Sequence, residues 1–228
     1  ATGQGAVLLL RRGAEDAGVD LAGATYVLQG FGSVGASTAV LLKERGAKLL
    51  AVEDVTGAIA DPPGIDPGDL ESHRRRHGFI FGYGKAGKIS HEAFMKTKAD
   101  VFITASIENQ VTAQSAPLLD VKLVAECANG AVSPDGEADL RQRGIEVLPD
   151  LLCNAGGPIV SYYEWLQNRR GDRWELEEVD SRLQAKVLSA YGRTRETAAR
   201  FNADLRTAAY AVAMSALEKV YKERGIFP

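Results

Sequence analysis

An α/β fold is what this 228-residue chain predicts: an open, mostly parallel sheet with helices on both faces, followed by C-terminal helices. Three observations carry that expectation. Apolar runs of strand length recur near residues 25, 48, 101, 122 and 145. Stretches of helical periodicity lie between them, as crossovers between parallel strands require. After Gly157 the strand signal stops and only helical patterning remains.

Taken in order, residues 5–17 (GAVLLLRRGAEDA) have an apolar face that turns polar and are read as a helix, with Gly18 and Gly23 ending it in a turn. TYVLQG is a strand, and Val34, Ala36, Ala39, Val40 and Leu42 give residues 34–45 the face of a helix packed on a sheet. AKLLAVED is a second strand, continuously apolar as expected where both sheet faces are covered. Strand, turn, helix and strand make a βαβ unit with a right-handed crossover.

Residues 56–68 (TGAIADPPGIDPG) hold three prolines and are read as loop. A helix follows over 67–77, then the loop GFIFGYGKAGK and a short helix after Ser90, where Glu92 is out of register for a capping box. Residues 100–105 and 121–126 are strands, with ENQVTAQSAPLL between them as loop and short helix. Residues 135–143 form a helix and IEVLPDLL a last strand. Residues 159–168, 175–200 and 204–224 are helical, the last with an apolar face of Ala208, Ala211, Val212, Ser215, Leu217 and Val220.

Composition removes several functions. Twenty-seven basic against thirty acidic side chains give a net charge of −3, with no field to attract nucleic acid. The basic cluster Arg74–Arg76, with His73 and His77, reads as a solvated helix end. No apolar run reaches the ~18 residues of a membrane span, and no signal peptide is recognisable at the start. A cytoplasmic protein without a membrane partner is the expectation. Cys127 and Cys153 are too few for a disulfide scaffold, and the three histidines form no zinc pattern, so no metal is expected.

The segment LQGFGSVG carries the chemistry. Gly30 allows a tight turn, Gly32 lets a diphosphate approach the backbone, and Gly35 lets the helix lie close to the strand. Phe31, Ser33 and Val34 lie between them, and the free amides of the helix from Val34 meet the phosphates. This is a Rossmann-like dinucleotide cradle. About twenty residues on, where such folds place an acid for the adenosine ribose, stand Glu53 and Asp54. Either carboxylate would repel a 2′-phosphate, and the following VTGAIAD has no cation to accept one. NAD is therefore the expected cofactor, with NADP left open.

Loops at the carboxyl ends of the other strands complete the site. Ala105, Ser106 and Asn109 follow the third strand, Asn129 the fourth and Asn154 the last. Asparagine shapes turns, but three at parallel strand ends also suit a neutral carboxamide such as nicotinamide. Cys153, with no histidine in a neighbouring sheet-end loop, is read as a buried small residue and not as a nucleophile.

The ordered blocks ATGQG, LQGFGSVG, IENQVT, AECANG, LPDLLCNAGG, VSYYEWLQN and LRTAAYAVAM resemble the glutamate dehydrogenases of the amino-acid dehydrogenase superfamily, over residues 1–228. The resemblance implies oxidative deamination of L-glutamate to 2-oxoglutarate and ammonium, with hydride transfer to a nicotinamide cofactor. It implies that Thr2, Asn129 and Asn154 lie at the nicotinamide end, that Asp54 is the strand-end residue discriminating cofactors, and that Ser161 binds the distal carboxylate of glutamate. Pro158 stands where valine usually lines the substrate side chain; Cys127 replaces a usual glycine, Thr104 a proline and Gln4 an arginine.

Family members carry an N-terminal domain with the lysines and aspartate that grip and deprotonate substrate. Residues 1–228 therefore resemble one cofactor-binding domain, 1–157 its α/β core and 158–228 a helical portion packed on it. Such a domain alone is expected to bind dinucleotide without turnover, while the whole protein, like its family, forms a homohexamer. A non-catalytic NAD(H)-binding or scaffold protein, and the matching domain of another amino-acid dehydrogenase, remain alternatives.

Overall fold

In the computed structural model, residues 1–225 are described, so the last three positions of the expected helical span 158–228 lie outside the described residues. Helix α1 (Thr2–Asp16) leads to β1 (Thr25–Gln29), α2 (Ser33–Lys43) and β2 (Lys48–Asp54). A hairpin of β3 (Gly57–Ile65) and β4 (Gly87–Ile89) encloses α3 (Pro67–His77), and α4 (His91–Met95) returns the chain to β5 (Val101–Thr104). Then come β6 (Leu123–Glu126), α5 (Pro134–Gln142), β7 (Glu146–Leu148), α6 (Asp150–Cys153), α7 (Gly156–Arg170), α8 (Leu176–Phe201) and α9 (Leu205–Arg224).

Among the described residues the strands form one sheet in the order β4-β3-β2-β1-β5-β6-β7. The pairs from β2 through β7 are parallel, and the edge pairs β2–β3 and β3–β4 are antiparallel. The strand order runs outward from β1, toward β2 on one side and β5 on the other, which opens a crevice at the carboxyl ends of those parallel strands.

The expected open sheet is present, and its central strands are buried on both faces. Tyr26, Leu28, Ile103 and Leu123 join one core with Leu9 and Leu10 of α1, Leu42 of α2, and Leu183 and Val187 of α8. Val27, Phe102 and Val124, pointing the other way, join a second core with Phe94, Met95 and Leu140. This two-sided burial explains why the strands read as continuous apolar runs and not as alternation.

The proline-rich stretch is a strand and not the loop expected. Leu49 pairs with Ile65 and Ala51 with Ala60, so Asp61, Pro62, Pro63 and Gly64 bulge out between two pairing points. The prolines, which cannot donate to a ladder, sit in the bulge, and the two ends pair normally. The last strand is also shorter than expected: it ends at Leu148, and Pro149 begins the turn into α6. Ser90 caps α4 through its own hydroxyl, which accepts from the Ala93 amide at 3.1 Å.

The C-terminal helices share the sheet's core. Tyr191 of α8 donates to Asp16 of α1 at 2.7 Å, and Arg195 forks onto both oxygens of Glu146 in β7 at 2.6 and 2.5 Å. On α9, Ala208 is buried, whereas Met214, Leu217, Val220 and Tyr221 are exposed. No helix among the described residues is long and apolar enough to cross a membrane.

Asp100 ties the starts of β1 and β5. Its Oδ2 accepts from the amide and hydroxyl of Thr25 at 2.9 and 3.0 Å, and its Oδ1 pairs with Lys122 at 2.9 Å. The Thr25 amide and the Lys122 ammonium hold this carboxyl below the usual range. A depressed folded pKa contributes stability that is present above the unfolded value of about 3.9 and is lost as pH falls through the lower folded value. Asp100→Asn is expected to lower stability at pH 7 by about 1–2 kcal/mol and to cost much less at pH 3. Thermal unfolding at the two pH values checks this; an equal penalty at both would refute it.

Candidate functional site

The glycine turn after β1 is built as its spacing requires. Gly30 takes φ +91°, and a Cβ there would stand 2.5 Å from the carbonyl oxygen of Ala105. A Cβ on Gly35 would overlap the carbonyl oxygen of Gly30. These two glycines serve packing: one turns the chain, the other seats α2 against that turn. Gly32 differs, because a Cβ there would meet nothing within 4 Å. Its α-carbon faces open space at the start of α2, so backbone alone lines the approach. Gly32 is also the N-cap and offers no side chain to that helix, so the first-turn amides of Ser33 and Val34 have no intrahelical acceptor and no capping group. Phe31, by contrast, buries its ring in the core.

Around this turn lies a cleft of about 530 Å³, lined on one side by Glu53 and Asp54 and on the other by Ala105, Ser106 and Ile107. Glu53 Oε2 accepts from Gln29 Nε2 at 3.1 Å, and its carboxylate faces His91 Nδ1 at 2.8 Å. Asp54 is committed to its own turn: Oδ1 accepts from the amide and hydroxyl of Thr56 at 2.7 and 2.5 Å, and Oδ2 from the Ile80 amide at 3.1 Å. Arg74 and His91 also line the cleft. Arg74 comes from α3, where its guanidinium pairs with Glu71 at 2.7 and 2.9 Å, and His91 from α4, both well beyond the short segment after β2, which carries no cation. Val55 and Ile107 are exposed at the rim.

A second group gathers at the ends of β6 and β7. Asn154 donates through Nδ2 to Asn129 Oδ1 at 2.8 Å. Asn154 Oδ1 is buried with no partner, as is the Ser106 hydroxyl in the first cleft. Thr2 is here as well, for its hydroxyl lies 2.8 Å from where a Cβ of Gly157 would be. The crossing of α1 over α7 depends on glycine: a Cβ on Gly5 would stand 2.9 Å from the Gly156 α-carbon. That pairing of ATGQG with NAGG is a contact the sequence pattern did not disclose.

Helix α7 starts at Gly156, earlier than the expected 159, so Ser161 sits in its second turn and not among the free first-turn amides. Ser161 is exposed and lies four residues from Gly157 and three from Pro158, hence on the same helical face. Pro158 falls within the first turn, where a missing N–H costs nothing.

Asn109 is placed differently from the other two asparagines. It takes φ +56°, its amide donates to the Gly130 carbonyl at 2.9 Å, and it borders a separate hollow with Glu108 and Arg206. Its neighbour Gln110 enters the glycine cleft instead, accepting from Gln29 Nε2 at 3.2 Å. Sequence reading missed Gln29, Gln110, Arg74 and His91; only Gln29, next to Gly30, carried a local signal.

Cys153 is fully buried and its thiol is pushed up by the neighbouring Cys127 thiol and by burial, so it supplies no thiolate. His73 and His77 lie against each other with ring centroids 4.4 Å apart, and His73 Nε2 faces the Phe81 carbonyl at 3.3 Å.

A bound dinucleotide would fit the groups present. Backbone without side chains lines the approach to two uncapped amides, carboxylates stand at the end of β2, and an amide pair with an unpartnered oxygen stands beyond the ends of β6 and β7 in the same sheet. Glutamate dehydrogenase of Thermotoga maritima is 36% identical across the whole chain, which spans 55% of that protein. NADP-specific glutamate dehydrogenase A1 of Halobacterium salinarum is 35% identical over the same share. The hetero-hexameric glutamate dehydrogenase of Thermus thermophilus, in its Leu-bound form, superposes with a TM-score of 0.94 at 32% identity, covering 100% of this chain and 54% of that one. The chain thus spans about 55% of the length of the relatives it matches. Residues 1–225 match the sequence family described as Glutamate/Leucine/Phenylalanine/Valine dehydrogenase, and the chain belongs to that family.

Proposed function

We propose that these residues are the dinucleotide-binding domain of an NAD(P)-dependent oxidoreductase that converts L-glutamate and water to 2-oxoglutarate and ammonium. The observation that carries the reading is the glycine turn, where Gly32 leaves open space directly before the uncapped start of α2. A nicotinamide held there would supply the acceptor for a hydride from the substrate α-carbon. The chain's own residues bind and orient. Ser33 and Val34 amides face the diphosphate, Glu53 or Asp54 the adenosine ribose, and Ser106 the rest of the crevice. Asn129, Asn154 and Thr2 hold the nicotinamide end, and Ser161 and Pro158 border the substrate beyond it. Asn109 contributes by fixing the loop that carries Asn129.

Glutamate as substrate rests on the relatives' names and on the hydroxyl of Ser161 beside Gly157. No lysine lines the glycine cleft, and the family resemblance assigns the groups that grip the substrate carboxylates and take its proton to another domain. The α/β core of 1–157 and the helices after it act as one cofactor-binding unit, since α8 shares the core of β1 and β5. We place the protein in the cytoplasm, where two free buried thiols are at home. Family resemblance suggested a homohexamer. The Thermus relative is described as hetero-hexameric, so we propose oligomeric assembly without requiring identical subunits.

Calorimetry and a coupled spectrophotometric assay test the reading together. Purified 228-residue chain is expected to bind NADH at one site and to form no NADH from glutamate and NAD. Absence of affinity for both NADH and NADPH would overturn the binding role, and turnover at an ordinary enzymatic rate, on the order of 10 per second, would overturn the need for outside groups.

A further inference from the structure

Arg206, second residue of α9, reaches three carboxylates from three other elements. Its Nε donates to Glu137 of α5 at 2.5 Å, Nη2 to Glu126 at the end of β6 at 2.5 Å, and Nη1 to Asp150 at the start of α6 at 3.0 Å. Glu126 is fully buried, and burial pushes its carboxyl up despite the Val132 amide and Arg206. One cation among three carboxylates is a poor arrangement for stability alone, because the desolvation cost is high. A guanidinium's rigid fork nevertheless fixes the positions of what it binds.

What it binds are the anchors of two loops. Glu126 Oε1 accepts from the Val132 amide at 2.7 Å, and Asp150 Oδ2 from the Gly130 amide at 2.9 Å. The segment between β6 and Val132 is therefore pinned beside Asn129 by carboxylates that Arg206 holds. Glu126 Oε2 also accepts from the Asp150 amide at 3.1 Å, which fixes the start of α6, and Asn154 is the residue that follows its last turn. Both partners of the Asn129–Asn154 bond are thus carried on backbone registered by one side chain from α9.

We propose that Arg206 is a positioning residue that sets the Asn129–Asn154 amide pair for the nicotinamide carboxamide, so that α9 controls one end of the cofactor site and leaves the other alone. The inference rests on the cofactor reading given above. The three carboxylates that Arg206 bonds, on Glu126, Glu137 and Asp150, do not line the glycine cleft.

The test compares two ligands in the whole protein: NADH, and ADP-ribose, which lacks the nicotinamide ring. Arg206→Gln removes the charge; Arg206→Lys keeps it, loses the fork, and serves if the first variant does not fold. Coupling within a hydrogen-bonded network commonly amounts to a factor of about ten. Arg206→Gln is accordingly expected to weaken NADH about tenfold and ADP-ribose less than about twofold, and Arg206→Lys to show the same selectivity at smaller amplitude. In an Asn129→Ala background the Arg206→Lys effect on NADH is expected to vanish. Parallel loss of both ligands, no loss of either, or a full effect without Asn129 would each overturn the proposal. Wild-type protein that bound neither ligand would instead overturn the cofactor reading.

Discussion

Gly35→Ala is expected to destabilise the protein by about 3 kcal/mol or more and to abolish measurable dinucleotide binding, whereas Gly32→Ala is expected to fold normally and still bind at least about tenfold more weakly. The contrast follows from what each added methyl would meet. At Gly35 it overlaps the Gly30 carbonyl, which is backbone in the turn itself and has no rotamer to escape into. At Gly30 a similar change adds left-handed strain, φ being +91°, to a 2.5 Å approach on Ala105. At Gly32 the backbone is extended, with φ −79° and ψ −163°, and nothing lies within 4 Å. Losing glycine at an N-cap costs up to about 1 kcal/mol, partly offset by the smaller entropy of the unfolded alanine chain. Denaturant titration and NADH calorimetry on the three variants separate the effects. Undiminished affinity in stable Gly32→Ala would remove the diphosphate from this loop.

Much of this arrangement is legible in the sequence because its determinants are local. Strand, glycine turn and helix over residues 25–43 follow from apolar period and backbone demand within a single βαβ unit. Asn154 and Asn129 stand out in the sequence by their position after parallel strands, and they hydrogen-bond to each other at 2.8 Å. The hairpin of β3 and β4 was hidden because composition records prolines but not that they fall in a bulge. Asn109 and Gln110 show a finer limit: one residue's left-handed turn decides which neighbour enters the cleft, and periodicity is silent on that. Arg206 and His91 bond to residues far away in the chain, and Arg74, bonded locally to Glu71, meets the cleft only through the placement of α3, so no spacing rule reaches them.

Cofactor choice turns on which of two adjacent acids faces the ribose. Both oxygens of Asp54 already accept hydrogen bonds, from Thr56 and Ile80, and they hold the entry to the hairpin. Glu53 instead faces Gln29 and His91, side chains that can shift when a ligand arrives. Glu53 is therefore the better candidate for excluding a 2′-phosphate, although family resemblance points to Asp54. At about 5 Å and an effective dielectric near 20, one carboxylate repels a single negative charge by about 3 kcal/mol. Glu53→Gln also removes the carboxylate partner of His91, and Arg74, which pairs with Glu71 at 2.7 Å, stays in the same cleft as a donor to a phosphate. Glu53→Gln is thus expected to raise NADPH affinity relative to NADH by about 30-fold or more. Asp54→Asn is expected to lower stability by about 1–2 kcal/mol and to shift the two cofactors together. Calorimetric titration of both variants with both cofactors decides between the acids. A changed NADPH-to-NADH ratio in Asp54→Asn, with none in Glu53→Gln, would return the discriminating role to Asp54 and leave Glu53 as a partner of His91 alone.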